Sequence, residues 1–591
     1  MDLGRALKEL PATLDGTYER TLGEIEDVNW EAARRLLQCV SVASRPLEVE
    51  ELAEILAFDF SAGPIPTFHM DCRFEDPVKG VLSICSTLLS LVNIDSEDSR
   101  VVQFGHFSVK EFLTSTRFAQ KRNTISSRYH ISLPSAHTVM AKACLGILLH
   151  LPQDVTVDSL MQYPFAGYAG EHWFEHARFE GVSEIVIQGM KELFDLTKPH
   201  FAIWLWICDP TLTSWKRRNE RTEMPFPPHG TPLHYAAFCG LRAVVEALAI
   251  GPQDVNSQNF RDKSTPLHLA SQEGHLDIVR FLIEHDANMA AQDQDGWTPL
   301  HVVSQSDHLD VARFLVEHVA NAEAQDRCGR TPLHLASQRG RLDVARSFVE
   351  NGANAEAQDW RGRTPLHLAS QRGRLGVARF LVEHGANTEA QDQCGSTPLH
   401  LASQGGRLGV TQFLIEHSAN AEAQDQPGQT PLHLASEWGR LDVARFLVEH
   451  GANMEAQNQH GWTPLHLASQ RGHLDVAQFF VEHGVNAEVQ DRYGWTPLHL
   501  ASEEGRLDVA RFLVEHGANV EAQDQYQSTP LHLASQRGRV NVALFLVERG
   551  ANAEAQNQHG FTPLHLASQM GHLDVARFLD ELRQQGSPKP G

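Results

Sequence analysis

Histidine is the residue whose spacing in this 591-residue chain most invites a chemical reading. A Thr-Pro-Leu-His quartet recurs eleven times, its Thr at 231, 265, 298, 331, 364, 397, 430, 463, 496, 529 and 562. The first interval is 34 residues and every later one is 33. Zinc ligands come as close pairs with short spacers, so histidines this far apart read as structural. A second group lies in EHWFEHARFE, where Glu171, His172, Glu175 and His176 crowd together and the two histidines share a helix face. A metal pair is one reading. A helix exposing polar residues around Trp173 and Phe174 is the other, and the better supported. The eight cysteines are scattered, with no C-x-x-C pair. No G-x-S-x-G, H-E-x-x-H, Gly-rich dinucleotide turn or G-x-x-x-x-G-K-[ST] phosphate loop is present. These patterns predict no catalytic residue, no metal ligand and no cofactor, and the chain reads as non-enzymatic.

Composition narrows the class further. A hydrophobic fraction of 42% is enough to fold. A net charge of −24, spread over both halves, argues against a general nucleic-acid binder, which would show a basic face. The apolar stretches AKACLGILLHL and FAIWLWI are too short to span a bilayer, and MDLGRALKEL has no signal-like apolar region. With sparse, unpatterned cysteine, this predicts a cytoplasmic protein, a nuclear location remaining open.

The elements that carry the histidines follow from one unit, DRYGWTPLHLASEEGRLDVARFLVEHGAN, residues 491–519. Asp-x-x-Gly is turn chemistry, with Gly494 able to take positive φ. Thr496 before Pro497 starts a helix, because proline is tolerated in the first turn. Leu498, Leu500 and Ala501 give that helix an apolar face, and Gly505 stops it. Leu507, Val509, Ala510, Phe512 and Leu513 stripe a second helix, ended at Gly517. Two short helices cannot bury their apolar faces alone, but stacked copies can. The T-P-L-H-x-A signature at this period resembles the ankyrin repeat over roughly 226–583. The resemblance implies a curved stack of helix pairs with β-hairpin-like fingers along one edge. It also implies that each quartet histidine ties neighbouring backbones together.

Comparing the repeats separates fixed letters from changing ones. Pro, Leu and His after each Thr, then Gly, Leu and Phe at nine, eleven and sixteen residues beyond it, scarcely vary. Three places do. One residue before Thr come Trp297, Arg330, Arg363, Trp462, Trp495 and Phe561; three before, Tyr493 and Tyr526, with Trp360 one place earlier; eight after, Arg339, Arg372, Trp438 and Arg471. Trp, Tyr and Arg are the types enriched where proteins bind proteins. In ankyrin proteins these places correspond to the finger tips and the exposed side of the first helix, so the thirteen residues are candidate partner contacts. The competing reading is unconstrained drift, which would favour small polar residues. Ten residues after Thr runs a ladder of Arg341, Arg374, Arg407, Arg440, Arg506 and Arg539, with His at 275, 308, 473 and 572, and no Lys lies between Lys263 and Lys589. An acidic partner segment is one reading of it. Pairing with second-helix acids such as Asp508 or Glu515 is the simpler one.

The copy at 298 breaks its own rules: Asp307 stands where others have the helix-stopping Gly, and Val319 where others have the second Gly. A β-branched residue is strained in a left-handed site, so this repeat is expected to be the softest interior one.

Residues 1–225 lack a period. NWEAARRLLQCVSVASRPLEVEELAEILAFDF predicts helices over Trp30–Val42 and Val49–Ala57 around Pro46. LLSLVNIDSEDSRVVQFGHFSVKEFLT predicts two strands, with alternation at Val101, Phe104 and Phe107, then a helix. Helix, helix, hairpin is the order of a winged helix. The phrases LPATLDGTYERTL, RPLEVEELAEILAFDF, VVQFGHFSVKEFL and AHTVMAKACLGILLHL resemble the region after the NTPase module of fungal NACHT–ankyrin (STAND) proteins. There an upstream NTPase is the switch, the winged helix helps hold the off state and the repeats sense a ligand. This sequence departs at the decisive place, having no Gly-Lys dipeptide at all.

The expected architecture is mainly α: a helical lead-in at 1–22, a winged-helix-like α+β domain at 23–125, a helical linker domain at 126–225, an ankyrin-repeat solenoid at 226–583 and a disordered tail at 584–591. The expected function is a non-catalytic scaffold or ligand-sensing module for a protein partner, with no nucleic acid and no membrane. The alternative is the regulatory part of a NACHT-type signalling NTPase whose nucleotide-binding module lies outside this chain.

Overall fold

A computed structural model describes residues 14–85, 87–93, 100–121, 123–211, 228–251, 254–318 and 320–586. Val319, the start of the lead-in, the 94–99 turn, the end of the linker domain and residues 587–591 of the expected tail lie outside the described residues. The chain divides into two compact units, 1–295 and 296–591.

In the first unit the predicted helix Trp30–Val42 forms over that span, followed by a helix at Val49–Ile55. Pro46 separates them, and Leu47–Glu48 between them is a short strand, β1. The hairpin forms as β4 (Leu89–Asn93) and β5 (Arg100–Phe104), antiparallel, with Val92 opposite Val101. β1 pairs antiparallel with β5, giving the order β1-β5-β4. Helix, helix and a three-stranded sheet closed by Phe107–Thr114 is a winged helix. The alternation reads differently from expectation. Val101 and Val102 are both buried, whereas Phe107 is largely exposed because it opens a helix instead of continuing a strand. A second small sheet, β2 (Phe58–Asp59) with β3 (Thr67–Phe68), was not legible, because two-residue strands carry no period.

Two buried carboxylates lock this unit. Glu51 accepts two hydrogen bonds from Arg45 and one from the Glu48 amide. Glu54 pairs with Arg73 and accepts from the Phe165 amide, 2.7 Å, joining the winged helix to the helices after it. Those helices are Leu133–His150, Phe165–Ala177, Ser183–Leu193 and His200–Ile207. The last one closes the first repeat: Phe201 and Trp204 pack their rings on Tyr235, whose hydroxyl donates to Asp209, 3.1 Å. Apolar area that a repeat stack would leave open is thereby covered.

The second unit repeats one helix pair nine times among its described residues. Each first helix starts at Thr with Pro in its first turn and His three residues in, a reciprocal cap. Its Gly stop is left-handed in the copies at 331, 364, 397, 463 and 496. The copy at 298 takes another route: its first helix ends at Gln305 and Ser306 turns extended, so Asp307 is never asked to be left-handed. After the second helix the stop is left-handed Gly in six repeats, and Ser418 takes the same conformation. First helices pack on first helices and second on second, burying Leu366, Ala369, Val377, Ala378 and Leu381 and their equivalents completely or nearly so. The fingers contain no strand among the described residues. Each is a turn closed by one carboxylate or amide, as where Asp326 Oδ1 accepts from the amides of Cys328 and Arg330, both 2.8 Å. The last helix runs from Leu573 to Gly586.

Candidate partner-binding face

From the copy at 231 to the copy at 529 the quartet histidines are buried in the stack, while His565 of the last copy is exposed. In the copy at 463, His466 Nδ1 accepts from the Thr463 amide, 3.1 Å, while Nε2 donates to the Trp495 carbonyl of the next repeat, 3.1 Å. A carbonyl can only accept, so the proton sits on Nε2 and Nδ1 is committed as acceptor. Burial lowers these imidazoles, to about 4 for His334, His433 and His466.

The finger carboxylates explain the letter before Thr. Asp326, Asp359, Asp491 and Asp524 are buried. Where that letter is Trp, its indole N–H reaches the Asp of the next finger: Trp297 to Asp326 at 3.2 Å, Trp462 to Asp491 at 2.9 Å, Trp495 to Asp524 at 3.1 Å. Where it is Arg, the guanidinium turns onto its own finger: Arg330 on Asp326 and Arg363 on Asp359, each 2.7 Å. These five candidates therefore serve the stack as well as presenting an edge to solvent. Asp425 has neither partner, since its neighbours at that offset are Ser396 and Gln429. Burial pushes its carboxyl up to about 6, and the Asp392 charge adds to the rise.

The remaining candidates face water. Trp360, Trp438, Tyr493, Tyr526 and Phe561 are between 41% and 63% exposed, far more than a core aromatic, and Met570 joins them at 49%. Arg339, Arg372 and Arg471 are exposed on the first-helix side. Arg471 pairs with Glu437 and Arg339 donates to Gln305, each residue of the preceding repeat. Trp360, Tyr493, Tyr526 and Phe561 thus stand on the fingers, whereas Trp438 lies at the end of a first helix, as do Arg339, Arg372 and Arg471.

The ladder ten residues after Thr does not rest on second-helix acids. Its Nε donates to a carbonyl in the last turn of the preceding first helix: Arg374 to Gln338, 3.3 Å; Arg407 to Gln371, 3.1 Å; Arg440 to Gln404, 3.2 Å; Arg506 to Gln470, 3.0 Å. A cation there meets carbonyls that have no partner within their helix and the negative end of the helix dipole. Sequence reading missed this tie because the acceptor is backbone.

The EHWFEHARFE helix also differs from expectation. His176, expected among the exposed polar residues, is buried, and so is Trp173. His176 meets Tyr168 and His137, each 2.9 Å, while His172 turns to Glu175, 3.3 Å, so the two histidines do not converge. The His172 contact and the Ser44 hydroxyl hold the Glu175 carboxyl down to about 2, and burial drives His176 down to about 3. Ser44 donates to a carboxylate and has no imidazole to take its proton, so this is not a nucleophile–base pair. Among the described residues no three His, Cys, Asp or Glu side chains are grouped to hold a metal, and no helix is long and apolar enough to cross a membrane.

Stacked helix pairs, histidine ties and projecting turns define a repeat-built binding protein. The chain belongs to the ankyrin-repeat family: the model for ankyrin repeats (3 copies) matches at 233–326, 318–392, 385–458, 450–524 and 520–585. The model described as GPI inositol-deacylase, winged helix domain, matches 25–124. Among curated proteins, azaphilone pigments biosynthesis cluster protein L of Monascus ruber is 28% identical over 48% of this chain and 61% of its own length. Human ankyrin repeat domain-containing protein 7 is 43% identical over 12% of this chain and 29% of its own. The chain thus spans less than two thirds of either relative.

Proposed function

We propose that this protein is a non-catalytic scaffold or ligand-sensing module that holds a protein partner on the ankyrin finger tips and the exposed side of the first helices. The observation that supports it is the set of large aromatics, Trp360, Trp438, Tyr493, Tyr526 and Phe561, kept in water on a frame whose other positions scarcely vary. Exposed Trp and Tyr lose little side-chain entropy on binding and bury much area. Arg339, Arg372 and Arg471 border that row, and Trp297, Trp462, Trp495, Arg330 and Arg363 stiffen the fingers that carry it. Partner capture from the source cell extract tests this, using the intact chain beside a Trp360→Ala, Trp438→Ala, Tyr493→Ala, Tyr526→Ala variant of equal helicity. No hydrogen bond from these four side chains to a neighbouring repeat occurs among the described residues, and only the Trp360 indole lies against the preceding finger, at Gly329, so the fold should survive. A protein held by the first and lost by the second supports the reading; equal capture by both refutes it. We place the protein in the cytoplasm, a reading its scattered cysteines support.

A second reading is that the chain is the regulatory part of a NACHT-type signalling NTPase, with its nucleotide module elsewhere. The winged helix at 25–124, followed by helices that close the first repeat, favours it. Nucleotide-dependent association with a separate ATPase module would support it, and its absence would count against it.

A further inference from the structure

The arginine ladder is not uniform, and its middle carries chemistry of its own. Each rung is held in two ways. Its Nε is bound to a helix-end carbonyl, and its stem lies over the left-handed Gly of the preceding repeat. A Cβ on Gly340, Gly373 or Gly406 would come within 2.7–2.8 Å of the Cδ of Arg374, Arg407 or Arg440. The terminal amino groups are left facing solvent. Arg341 pairs with Asp307 and Arg539 with Glu504. Arg374, Arg407 and Arg440, like Arg506, are exposed and have no ion-pair partner among the described residues, so what sets the middle apart is the sequence around it.

Two sequence changes fall at the same place. The second helix normally opens Leu-Asp, as with Asp343, Asp442, Asp475 and Asp508, two residues beyond the rung. In the repeats at 364 and 397 that Asp is Gly376 and Gly409. Neither glycine has a positive φ, and an added Cβ would meet only a leucine methyl at 3.6 or 3.7 Å. The backbone does not need glycine there; the change leaves Arg374 and Arg407 without the acid two residues beyond the rung, whereas Arg440 keeps Asp442. Between Arg327 and Arg407 the sequence holds eleven arginines against seven carboxylates, in a chain of net charge −24.

We infer that Arg374, Arg407 and Arg440, flanked by Arg372, form a docking track for an extended acidic segment of a protein partner. The inference rests on the protein-binding reading above and names the chemistry of the partner. Pre-fixed guanidiniums suit carboxylates, because the planar fork accepts two oxygens and little order remains to be gained on binding. Adjacent first helices lie roughly 10 Å apart, and an extended chain advances about 3.3 Å per residue. Successive rungs therefore match carboxylates three residues apart. The track is short, with the Asp307–Arg341 pair at one end and the Glu437–Arg471 pair at the other. A long nucleic acid would run off it onto acidic surface, whereas a peptide of seven or so residues would not.

The test uses the full chain and two fluorescent nonapeptides of one composition. One has glutamates at its first, fourth and seventh positions, the other at its first, third and fifth. At low salt the first should bind at least tenfold more tightly, and 0.5 M NaCl should abolish the difference. Gly376→Asp with Gly409→Asp, which restores the letters of the other repeats, should weaken it at least tenfold with thermal unfolding unchanged. Arg506→Gln, which removes the same backbone tie outside the track, should leave binding intact. Equal binding of the two peptides, no binding of either, or wild-type affinity in the double aspartate variant overturns the track. So does tighter binding and displacement by oligothymidylate, which would point to nucleic acid instead. A captured protein partner that the double aspartate variant still holds overturns the track while leaving the scaffold reading in place.

Discussion

Lowering the pH from 7 to 5 should unfold the array from within, through the quartet histidines. Their neutral form is built into the fold, since Nδ1 accepts from the Thr amide and cannot take a proton without losing that bond. In the unfolded chain the same histidines titrate near 6.5. Folded His334, His433 and His466 titrate at about 4, so the folded state binds fewer protons and its stability falls as pH drops from 6.5 toward 4. At pH 5 each site forfeits about 1.5 pH units of protonation, or ~2 kcal/mol. Three sites together reach roughly 6 kcal/mol, as large as the whole stability of many domains. Burial lowers His301, His367, His400, His499 and His532 as well, which adds in the same direction. Asp425, with its carboxyl up at about 6, works the other way but is a single half-exposed group. Urea unfolding followed by far-UV circular dichroism at pH 7, 6 and 5 measures the effect. The midpoint should fall monotonically, by about 1–2 M overall. His466→Asn should be weaker at pH 7 yet lose ~2 kcal/mol less between pH 7 and 5. A midpoint that is flat or rises over that range would falsify the tautomer and burial argument.

Further outcomes follow from single positions. Asp425→Asn should stabilise by about 1 kcal/mol at pH 7 and by about half as much at pH 5, the gain vanishing only below the unfolded carboxylate's value near 3.9. Its raised carboxyl is a liability only when charged, and Asn458 and Asn557 already fill that place in other fingers; chemical unfolding at both pH values decides it. Ser418→Gly should gain roughly 1 kcal/mol by removing a side chain from a left-handed site, read as a raised urea midpoint. Ser370→Ala should be neutral or stabilising by up to about 1 kcal/mol, because its buried hydroxyl has no partner; a clear loss would show a bond the geometry lacks. Trp495→Phe should destabilise by about 1–3 kcal/mol by stripping the indole bond from Asp524. Trp360→Ala should fall within about 0.5 kcal/mol of wild type, and equal effects of the two would erase the distinction between tie and surface.

The repeats were legible because each letter of the frame answers a local need that recurs: Thr-Pro to start a helix, Gly to stop it, Leu and Ala at helical spacing to fill the stack. Trp30–Val42 and the 89–104 hairpin were legible for the same reason, their pattern being long enough to show a period. β2 and β3 were too short for that. The burial of His176 and Trp173 depends on Tyr168, on His137 from another helix, and on Trp204, whose ring packs edge-on against Trp173; no spacing in EHWFEHARFE announces those neighbours. The acceptor of the arginine ladder was invisible because a carbonyl has no letter. For the partner-binding candidates the sequence identified which positions change. It could not separate Trp297, Trp462 and Trp495 from Trp360, because the Asp that each of the first three meets lies 29 residues away and every finger but two in this unit has an Asp at that place.

That ambiguity reflects how a repeat surface can change without unfolding. A buried finger Asp must be answered by something: an indole from behind, a guanidinium from its own turn, or replacement by Asn. Trp297, Arg330, Arg363, Trp462 and Trp495 each do that duty, yet each also sets the electrostatics and shape of the finger edge. Where the answer is withdrawn, as at Asp425 between Ser396 and Gln429, the finger keeps its backbone bonds but carries a carboxyl held up at about 6. It stands in the repeat after Gly409, the repeat whose rung is Arg440. The same stretch of the array therefore drops two acids after the ladder rungs and leaves two fingers, those of Asp392 and Asp425, with neither an indole nor a guanidinium. Both departures relax a rule that the neighbouring repeats obey, and neither is required by packing. Local rule-breaking without a packing reason is where a selected surface is to be sought, which is why the double aspartate variant, restoring the rule at no cost to the stack, is the sharpest way to ask what this region holds.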